Sequence, residues 1–236
     1  MAPDDQRFFQ ADPAATALLR RYAGALSASP IRLTGTRDAG EIYDVHVMDC
    51  LRSLPFLPCG PSRVIDVGSG GGLPGLVWAI CRSDISVTLL DSVRKKCTAT
   101  EAIIAALGVK NVSVVWARCE EYAARPGVRE SYALAAARAV AHTGVLAEYL
   151  SHLVAVGGRL LAFKGPKAEA EIEEIEKIAG TGKHWGALGL KAPEVIPYGD
   201  GGHRFVLWEK IAHLSRPRKY PRAVIGVGQP KARTQL

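Results

Sequence analysis

The chain has 236 residues, 48% hydrophobic content and a formal net charge of +7. This length and apolar content suit one large domain with additions and exclude a second catalytic domain. Residues 1–5 are acidic where a signal peptide would be basic, and no apolar run approaches the roughly 18 residues that a membrane helix needs. The five cysteines form no C-x-x-C pair, so we expect reduced thiols and no metal site. We expect a cytoplasmic monomer without an obligate protein partner.

Residues 1–60 are predicted to form a helical cap. Apolar residues at helical spacing predict a first helix over residues 14–28. Asp38 and Glu41 match a capping box that would open a second helix. This helix should end near Leu54, because prolines follow it.

Residues 61–212 alternate between strand and helix patterns. Strands are predicted near residues 63, 86, 112, 132 and 158, and helices are predicted to start near residues 74, 94, 119 and 144. This alternation indicates an α/β fold, a mostly parallel sheet with helices on both faces. A charged helix over 167–179 and strands near 187–197 and 204–211 would complete it with an antiparallel edge.

The most informative segment is the glycine-rich stretch of residues 66–75, which joins the first predicted strand to a helix. Gly68, Gly70 and Gly72 supply positive φ angles and bare backbone that a ligand can approach. An open parallel sheet binds nucleoside cofactors at such a bend. The alternative is a tight turn that binds nothing.

Asp91 ends the second predicted strand, 23 residues after Gly68. This is near the spacing at which a carboxylate accepts hydrogen bonds from ribose hydroxyls, so an adenosine cofactor is indicated. Asp91 could also cap the helix predicted over residues 94–107.

Two classes of cofactor fit the glycines. The frame Gly70-x-Gly72-x-x-Gly75 satisfies the dinucleotide fingerprint and would suit a nicotinamide-dependent oxidoreductase. Asp66 before the glycines and the acidic pair at 120–121 after the third strand look instead like a class I S-adenosylmethionine-dependent methyltransferase. A nucleotide- and RNA-binding protein without catalysis is a third possibility.

A closer resemblance comes from consecutive motifs. The chain resembles the bacterial small-subunit ribosomal RNA guanine-N7 methyltransferases, the glucose-inhibited division protein B family, in five segments: residues 64–75, 90–96, 117–121, 137–141 and 163–165. Further matches at 33–35, 45–51 and 218–222 extend it over nearly the whole chain. The chain departs from the family at Arg32 and Cys50, where Asn and Ser are usual.

The resemblance implies a Rossmann-like class I methyltransferase that methylates guanine N7 in 16S ribosomal RNA, at position 527 of the 530 loop. The implied cofactor is S-adenosylmethionine, and the implied partner is 16S ribosomal RNA or the small ribosomal subunit. Asp66 would hold the amino group of the cofactor and Asp91 its ribose. The resemblance places Leu73, Cys119 and Glu120 at the adenine. For Cys119 a nucleophilic role is the rival interpretation.

Arg138 and Lys164 end the fourth and fifth predicted strands, at the edge where open-sheet sites lie. The family places a cofactor or substrate contact at Arg138. Methylation of N7 makes the purine positive, and a guanidinium on that ring would oppose the transition state. We therefore expect Arg138 to face a carboxylate or phosphate, although a structural salt bridge is the alternative. Lys164 is predicted to contact phosphate or, alternatively, to extend along the surface.

No residue is assigned as an acid, base or nucleophile. The in-plane lone pair of guanine N7 is free at neutral pH, so orientation of the reactants can supply the rate. His46, His142 and His203 are therefore predicted to be structural or to contact RNA.

The basic residues concentrate at the end of the chain. Residues 203–236 hold eight Lys and Arg against one Glu, which equals the whole net charge. We predict that this region, including a tail over 213–236, binds RNA phosphates, unless it is simply a solvated tail. The predicted RNA-binding residues are Arg204, Arg216, Arg218, Lys219 and Arg222.

Overall fold

The computed structural model describes residues 12–138 and 141–214. Within these ranges seven strands form one sheet: β1 Ser62–Val67, β2 Ile85–Asp91, β3 Val112–Trp116, β4 Tyr132–Arg138, β5 Val154–Lys164, β6 Glu194–Tyr198 and β7 His203–Glu209. Their order is β3-β2-β1-β4-β5-β7-β6. Strands β1 to β5 are parallel, and β7 runs antiparallel between β5 and β6. The predicted α/β class with its antiparallel addition is confirmed.

Helices cover both faces of the sheet. They are α1 Pro13–Ser27, α2 Ala39–Glu41, α3 Met48–Leu51, α4 Gly75–Cys81, α5 Arg94–Leu107, α6 Cys119–Ala123, α7 Thr143–Ser151, α8 Ala168–Ala179 and α9 Lys183–Ala187. One apolar core holds residues of α1, α4 and α5, and a second core on the opposite face holds residues of α6 to α9. Adjacent strand residues such as Val64 and Ile65 enter opposite cores, as the two-residue period of a strand requires.

The second predicted helix is interrupted. Asp38 caps it as expected, because Oδ1 accepts the Glu41 N–H at 2.7 Å. The Glu41 carboxylate does not complete the capping box, since it accepts a hydrogen bond from the Thr36 hydroxyl at 2.7 Å. A π-helical turn, Ile42–Val47, separates α2 from α3, and the α-helical part ends at Leu51. Such turns often accompany functional sites, and this one carries His46.

The prediction of a strand starting near residue 187 is wrong. That region holds α9, and β6 begins only at Glu194. Leu188 and Leu190 are apolar because they bury against the core around Trp185, and the Leu190 N–H donates to the Trp185 carbonyl. The apolar residues at the start of the predicted strand therefore belong to the end of a helix.

The two edges of the sheet are named by the ends of β1 to β5. At the carboxyl edge these strands end; at the amino edge they begin. Because β7 is antiparallel to β5, Arg204 pairs with Lys164 at the carboxyl edge and Glu209 with Arg159 toward the amino edge. The described chain therefore ends, at Leu214, on the amino edge. No helix in the described ranges is long and apolar enough to cross a membrane.

Candidate functional site

A cleft of about 900 Å³ opens at the carboxyl edge beside β1, β2 and β4. The register pairs Val67 with Leu90 and Ala137, so the residues that follow these three positions emerge together. The walls are residues 31–35 of the cap, residues 68–71 and 73 of the glycine loop, residues 91–93 and 95–96 after β2, and two single side chains, His46 and Arg138.

Gly68 and Gly70 shape the loop that forms the cleft floor. Their φ angles are +73° and +56°, in the left-handed region that glycine tolerates. The Gly68 N–H donates to the Leu90 carbonyl at 2.7 Å, and the Thr100 hydroxyl donates to the Gly70 carbonyl at 2.9 Å. These bonds hold the bare backbone of the loop against β2 and α5, where a ligand can approach it.

Gly72 faces the cap rather than the cleft. A Cβ there would lie 3.0 Å from the Leu76 Cβ and 3.2 Å from the Tyr22 hydroxyl oxygen. Gly71 is equally enclosed, because its Cβ would lie 2.7 Å from Leu26. The Tyr22 hydroxyl donates to the Gly71 carbonyl at 2.8 Å. The contribution of Gly72 to ligand binding would thus be indirect, through the packing of α1 on the loop.

Asp91 lines the cleft with both oxygens oriented. Oδ2 accepts the Gly70 N–H at 2.9 Å, and Oδ1 accepts the Val93 N–H at 2.8 Å. Val93 is the N-cap residue of α5, so the alternative prediction that Asp91 caps this helix is wrong. Each carboxylate oxygen has a second lone pair, so Asp91 can still accept hydrogen bonds from a ligand.

Asp66 lies behind the loop and is fully buried. Its Oδ2 accepts the Gly75 N–H at 2.9 Å, while its buried Oδ1 has no hydrogen-bond partner. Burial raises the pKa of Asp66 to about 7, although the Gly75 hydrogen bond and the charge of Arg138 oppose the rise. A buried acceptor without a donor is costly unless a water or a ligand satisfies it.

Arg138 stands between the cleft and a second cavity of about 420 Å³. Its Nη1 makes only long contacts, 3.5 Å to the His46 carbonyl and 3.9 Å to the Cys50 sulfur. Within the described ranges no carboxylate forms an ion pair with it. The predicted alternative of a structural salt bridge is therefore not found there, and the guanidinium is available to an anionic ligand group.

The second cavity shares His46 and Arg138 with the cleft. Burial and the charge of Arg138 lower the pKa of His46, which keeps the imidazole neutral at pH 7. The remaining lining residues are Val45, Asp49, Phe163, Lys164, Gly165, Tyr198 and His203.

Lys164 and Arg204, predicted to contact RNA, both have acidic partners. Lys164 Nζ lies 2.8 Å from Glu171 Oε2 and donates to the Ala141 carbonyl at 3.0 Å. Arg204 Nε lies 2.6 Å from Glu169 Oε1. RNA contact at these positions stays a prediction, and it would have to compete with ion pairs to α8. Arg216, Arg218, Lys219 and Arg222 lie outside the described residues.

Cys119 and Glu120 begin α6 after β3 and do not line the cleft. The Cys119 thiol contacts the Tyr149 carbonyl at 3.8 Å. Burial raises the pKa of Cys119 to about 12, so the thiol is protonated at neutral pH and is a poor nucleophile. The role of both residues at an adenine stays a prediction.

Sequence reasoning gave no site role to residues 31–35, which form one wall of the cleft. The sequence signal was the motif match at residues 33–35, but the packing of this segment on the glycine loop joins segments far apart in the chain: a Cβ added at Gly71 would lie 3.1 Å from Leu33. His46, Lys95 and Lys96 also line the cleft. Lys95 and Lys96 lie in a motif quoted for the resemblance and had no predicted role, whereas His46 was predicted to be structural or to contact RNA.

A family model described as "GidB: rRNA small subunit methyltransferase G" matches residues 16–183. The chain is 40% identical over 198 residues to ribosomal RNA small subunit methyltransferase G of Symbiobacterium thermophilum, covering 81% of this chain and 79% of that protein. It is 36% identical over 195 residues to the protein of the same name from Clostridium perfringens, with the same coverage.

Solved structures with low sequence identity share the fold. A putative S-adenosylmethionine-dependent methyltransferase of Methanococcus maripaludis aligns with a TM-score of 0.54 and 14% identity, covering 73% of this chain and 90% of that one. An rRNA methylase of Streptococcus thermophilus aligns with a TM-score of 0.50 and 19% identity, covering 70% and 95%.

Proposed function

The chain belongs to the rRNA small subunit methyltransferase G family and is an S-adenosylmethionine-dependent rRNA methyltransferase, and on that premise we propose that it methylates guanine N7 in the 530 loop of 16S ribosomal RNA. The family decides between the alternatives that the glycine loop left open. The nicotinamide-dependent oxidoreductase is wrong.

The cleft at the carboxyl edge fits this cofactor. The observation that carries the assignment is the buried Asp66 Oδ1, an acceptor without a donor, behind a glycine loop and close to Arg138. We assign Asp66 to the amino group, directly or through water, and Arg138 to the carboxylate of the methionine part. Asp91, already oriented by Gly70, is assigned to the ribose hydroxyls.

When bound, S-adenosylmethionine would supply an electrophilic methyl group, whose transfer to N7 would leave the electron pair of the broken bond on sulfur and the positive charge on the purine. The protein has to hold the two reactants in line, since no proton moves. A neutral His46 adds no positive charge at the junction of the two cavities, and a carboxylate partner would keep the Arg138 charge off the purine.

Which ribosomal RNA the enzyme methylates is also part of the proposal. We assign 16S ribosomal RNA, free or within the small subunit, as the partner of a monomeric enzyme in the cytoplasm. The domain division into a cap over 1–60, a methyltransferase domain over 61–212 and a basic tail over 213–236 is part of the same proposal.

The test uses 16S ribosomal RNA and small subunits from cells that lack the enzyme. We expect purified protein to transfer labelled methyl groups to one guanine of the 530 loop, and mapping should identify N7-methylguanosine there. A methyl group on another atom or nucleotide would refute the N7 assignment. Cofactor binding without any transfer to either substrate would refute 16S ribosomal RNA as the substrate.

A further inference from the structure

We propose that the second cavity, which Asp49 lines, holds the target guanine and that the Asp49 carboxylate accepts hydrogen bonds from its N1–H and N2 amino groups. This inference rests on the proposed function and goes beyond it, because it names the protein group that selects the base.

The position of the cavity favours this assignment. Reacting atoms must approach to about 3–3.5 Å, so the base has to lie directly beside the cofactor. The second cavity shares the walls His46 and Arg138 with the cofactor cleft, and its volume of about 420 Å³ lies in the range of small-ligand sites.

Asp49 is the acidic residue among those that line this cavity, and it does not line the cofactor cleft. It lies one helical turn after His46, and its side chain is only 13% exposed. Arg52 Nη1 donates to Oδ1 at 3.1 Å and fixes the carboxylate. Within the described residues no hydrogen bond to Oδ2 is found, so Oδ2 can accept from a ligand.

The chemistry of a carboxylate matches guanine and disfavours adenine. Guanine presents two adjacent donors, N1–H and the N2 amino group, whereas adenine has a lone pair at N1 that a carboxylate repels. These donors lie on the opposite side of the purine from N7, so one base can face Asp49 and the cofactor together. The negative charge of Asp49, placed at the far side of the base from N7, also stabilises the positive charge that methylation gives the purine.

Aromatic rings form a second part of the cavity wall. Tyr198 stacks on Phe205 with 3.9 Å between ring centroids, and Phe163 meets Phe205 edge-on at 5.1 Å. Phe163 and Tyr198 both line the cavity. Bases taken out of an RNA stack are commonly held against such rings while polar groups read their edges.

The first experiment compares Asp49→Asn with two matched variants. We expect Asp49→Asn to lower kcat/KM for methyl transfer to 16S ribosomal RNA by about 10- to 100-fold. Its affinity for S-adenosylhomocysteine, measured by calorimetry, should change less than twofold. Asp44→Asn removes an exposed carboxylate from the same helical segment and should behave as wild type. Arg52→Gln removes the ion pair but keeps the carboxylate.

The second experiment replaces the target guanine by inosine, which lacks only the N2 amino group. Wild-type enzyme should lose about tenfold in kcat/KM, and also in RNA affinity measured with S-adenosylhomocysteine present. Arg52→Gln should keep this penalty. Asp49→Asn should lose it, with guanine and inosine substrates differing less than twofold. A merely structural role of Asp49 would leave the inosine penalty intact.

Two results would overturn the assignment: an inosine penalty that Asp49→Asn retains, or a wild-type enzyme that treats guanine and inosine alike. Full reproduction of the Asp49→Asn effects by Arg52→Gln would reduce Asp49 to an ion-pair partner and also overturn it. Failure of the proposed function is distinct from these results, because then wild-type enzyme places no methyl group on N7 at all.

Discussion

Asp66 and Arg138 at the carboxyl edge of the sheet differ from Lys210 and Glu130 at the amino edge in whether their charges have partners. At the carboxyl edge the buried Asp66 Oδ1 lacks a partner, and Arg138 has no ion pair within the described ranges. At the amino edge Lys210 is 1% exposed, lies 3.1 Å from Glu130 and donates to the Ser151 carbonyl at 2.7 Å. Asp66 Oδ1 and Arg138 are therefore available to a ligand, whereas Lys210 and Glu130 stabilise the fold, as do the ion pairs of Lys164 and Arg204 with α8 at the carboxyl edge.

Glu130 extends this contrast to the end of the described chain. Its carboxylate also accepts the Leu214 N–H at 3.1 Å and lies 2.7 Å from His213. Burial alone would raise the pKa of Glu130, but hydrogen bonds from His213, Leu214 and Lys210 lower it below its usual value. His213 and Leu214, the last described residues, are therefore fixed at the edge away from the cleft.

The largest effect is expected from Gly70→Asp. A side chain in the left-handed region would be strained, and a second carboxylate would repel the Asp91 carboxylate and fill the path by which the cofactor approaches the loop. Affinity for S-adenosylmethionine should fall at least about 1,000-fold, or ~4 kcal/mol. Calorimetric titration measures it.

Gly108→Asp is the matched control. Gly108 has a φ of +74° with no neighbour within 4 Å of an added Cβ, so it tests the strain alone. We expect near-normal cofactor affinity for this variant. Equal losses in both variants would mean that strain, and not the cleft, explains the first result.

The opposite edge is tested by Lys210→Met. The substitution keeps the apolar length and leaves the Glu130 carboxylate without its buried partner, so the free energy of unfolding should fall by about 2–4 kcal/mol. Cofactor affinity should stay within about twofold. Chemical denaturation and calorimetry measure the two quantities.

Lys191→Met provides the comparison, because Lys191 pairs with Glu209 at the surface. Exposed pairs contribute about 0–1 kcal/mol. If the two methionine variants fell equally in stability, the distinction between a structural buried pair and a surface pair at this edge would be refuted.

The sequence predicted the features that are local in the chain. The strand, glycine loop and helix around residues 66–75 were correct, and so was the place of Asp91, because spacing alone fixes them. The role of Gly72 depends on Tyr22, which lies 50 residues earlier in the chain, and no spacing rule connects the two.

A count of charges in the sequence does not show which cations have acidic partners. In the fold Arg204 pairs with Glu169 and Lys210 with Glu130, and both partners lie far away in the chain. The strand predicted over 187–197 likewise was wrong at its start, where the end of α9 packs around Trp185. Long-range partners decide these cases.

A smaller effect should follow from removal of residues 215–236. This truncation keeps the Glu130 hydrogen bonds with His213 and Leu214, which a truncation after Lys210 would destroy. We expect about tenfold weaker binding of 16S ribosomal RNA at low salt. The slope of the logarithm of the binding constant against the logarithm of the salt concentration should become shallower by about 0.7–0.9 for each RNA phosphate that the tail no longer neutralises. Binding titrations at several salt concentrations measure it.

A full-length variant with Arg216, Arg218, Lys219 and Arg222 changed to Gln separates charge from length. It should reproduce most of the truncation effect. An unchanged salt slope in both proteins would refute RNA binding by the tail and favour the solvated-tail alternative.

The smallest effect is a dependence of cofactor affinity on pH that comes from Asp66. Burial raises its pKa to about 7, above the value in the unfolded chain, so the folded protein binds this proton more tightly. The contribution of Asp66 to stability is therefore present at acidic pH and is lost as the pH rises from about 4 to 7.

The ionised form of Asp66 binds an ammonium group, so cofactor affinity should rise about threefold between pH 6.5 and 7.5. Asp66→Asn, which still offers an acceptor to the Gly75 N–H, should abolish both the rise in affinity and the loss of stability relative to wild type. A pH dependence that persists in Asp66→Asn would assign it to another group and leave the orphaned oxygen without a role in binding.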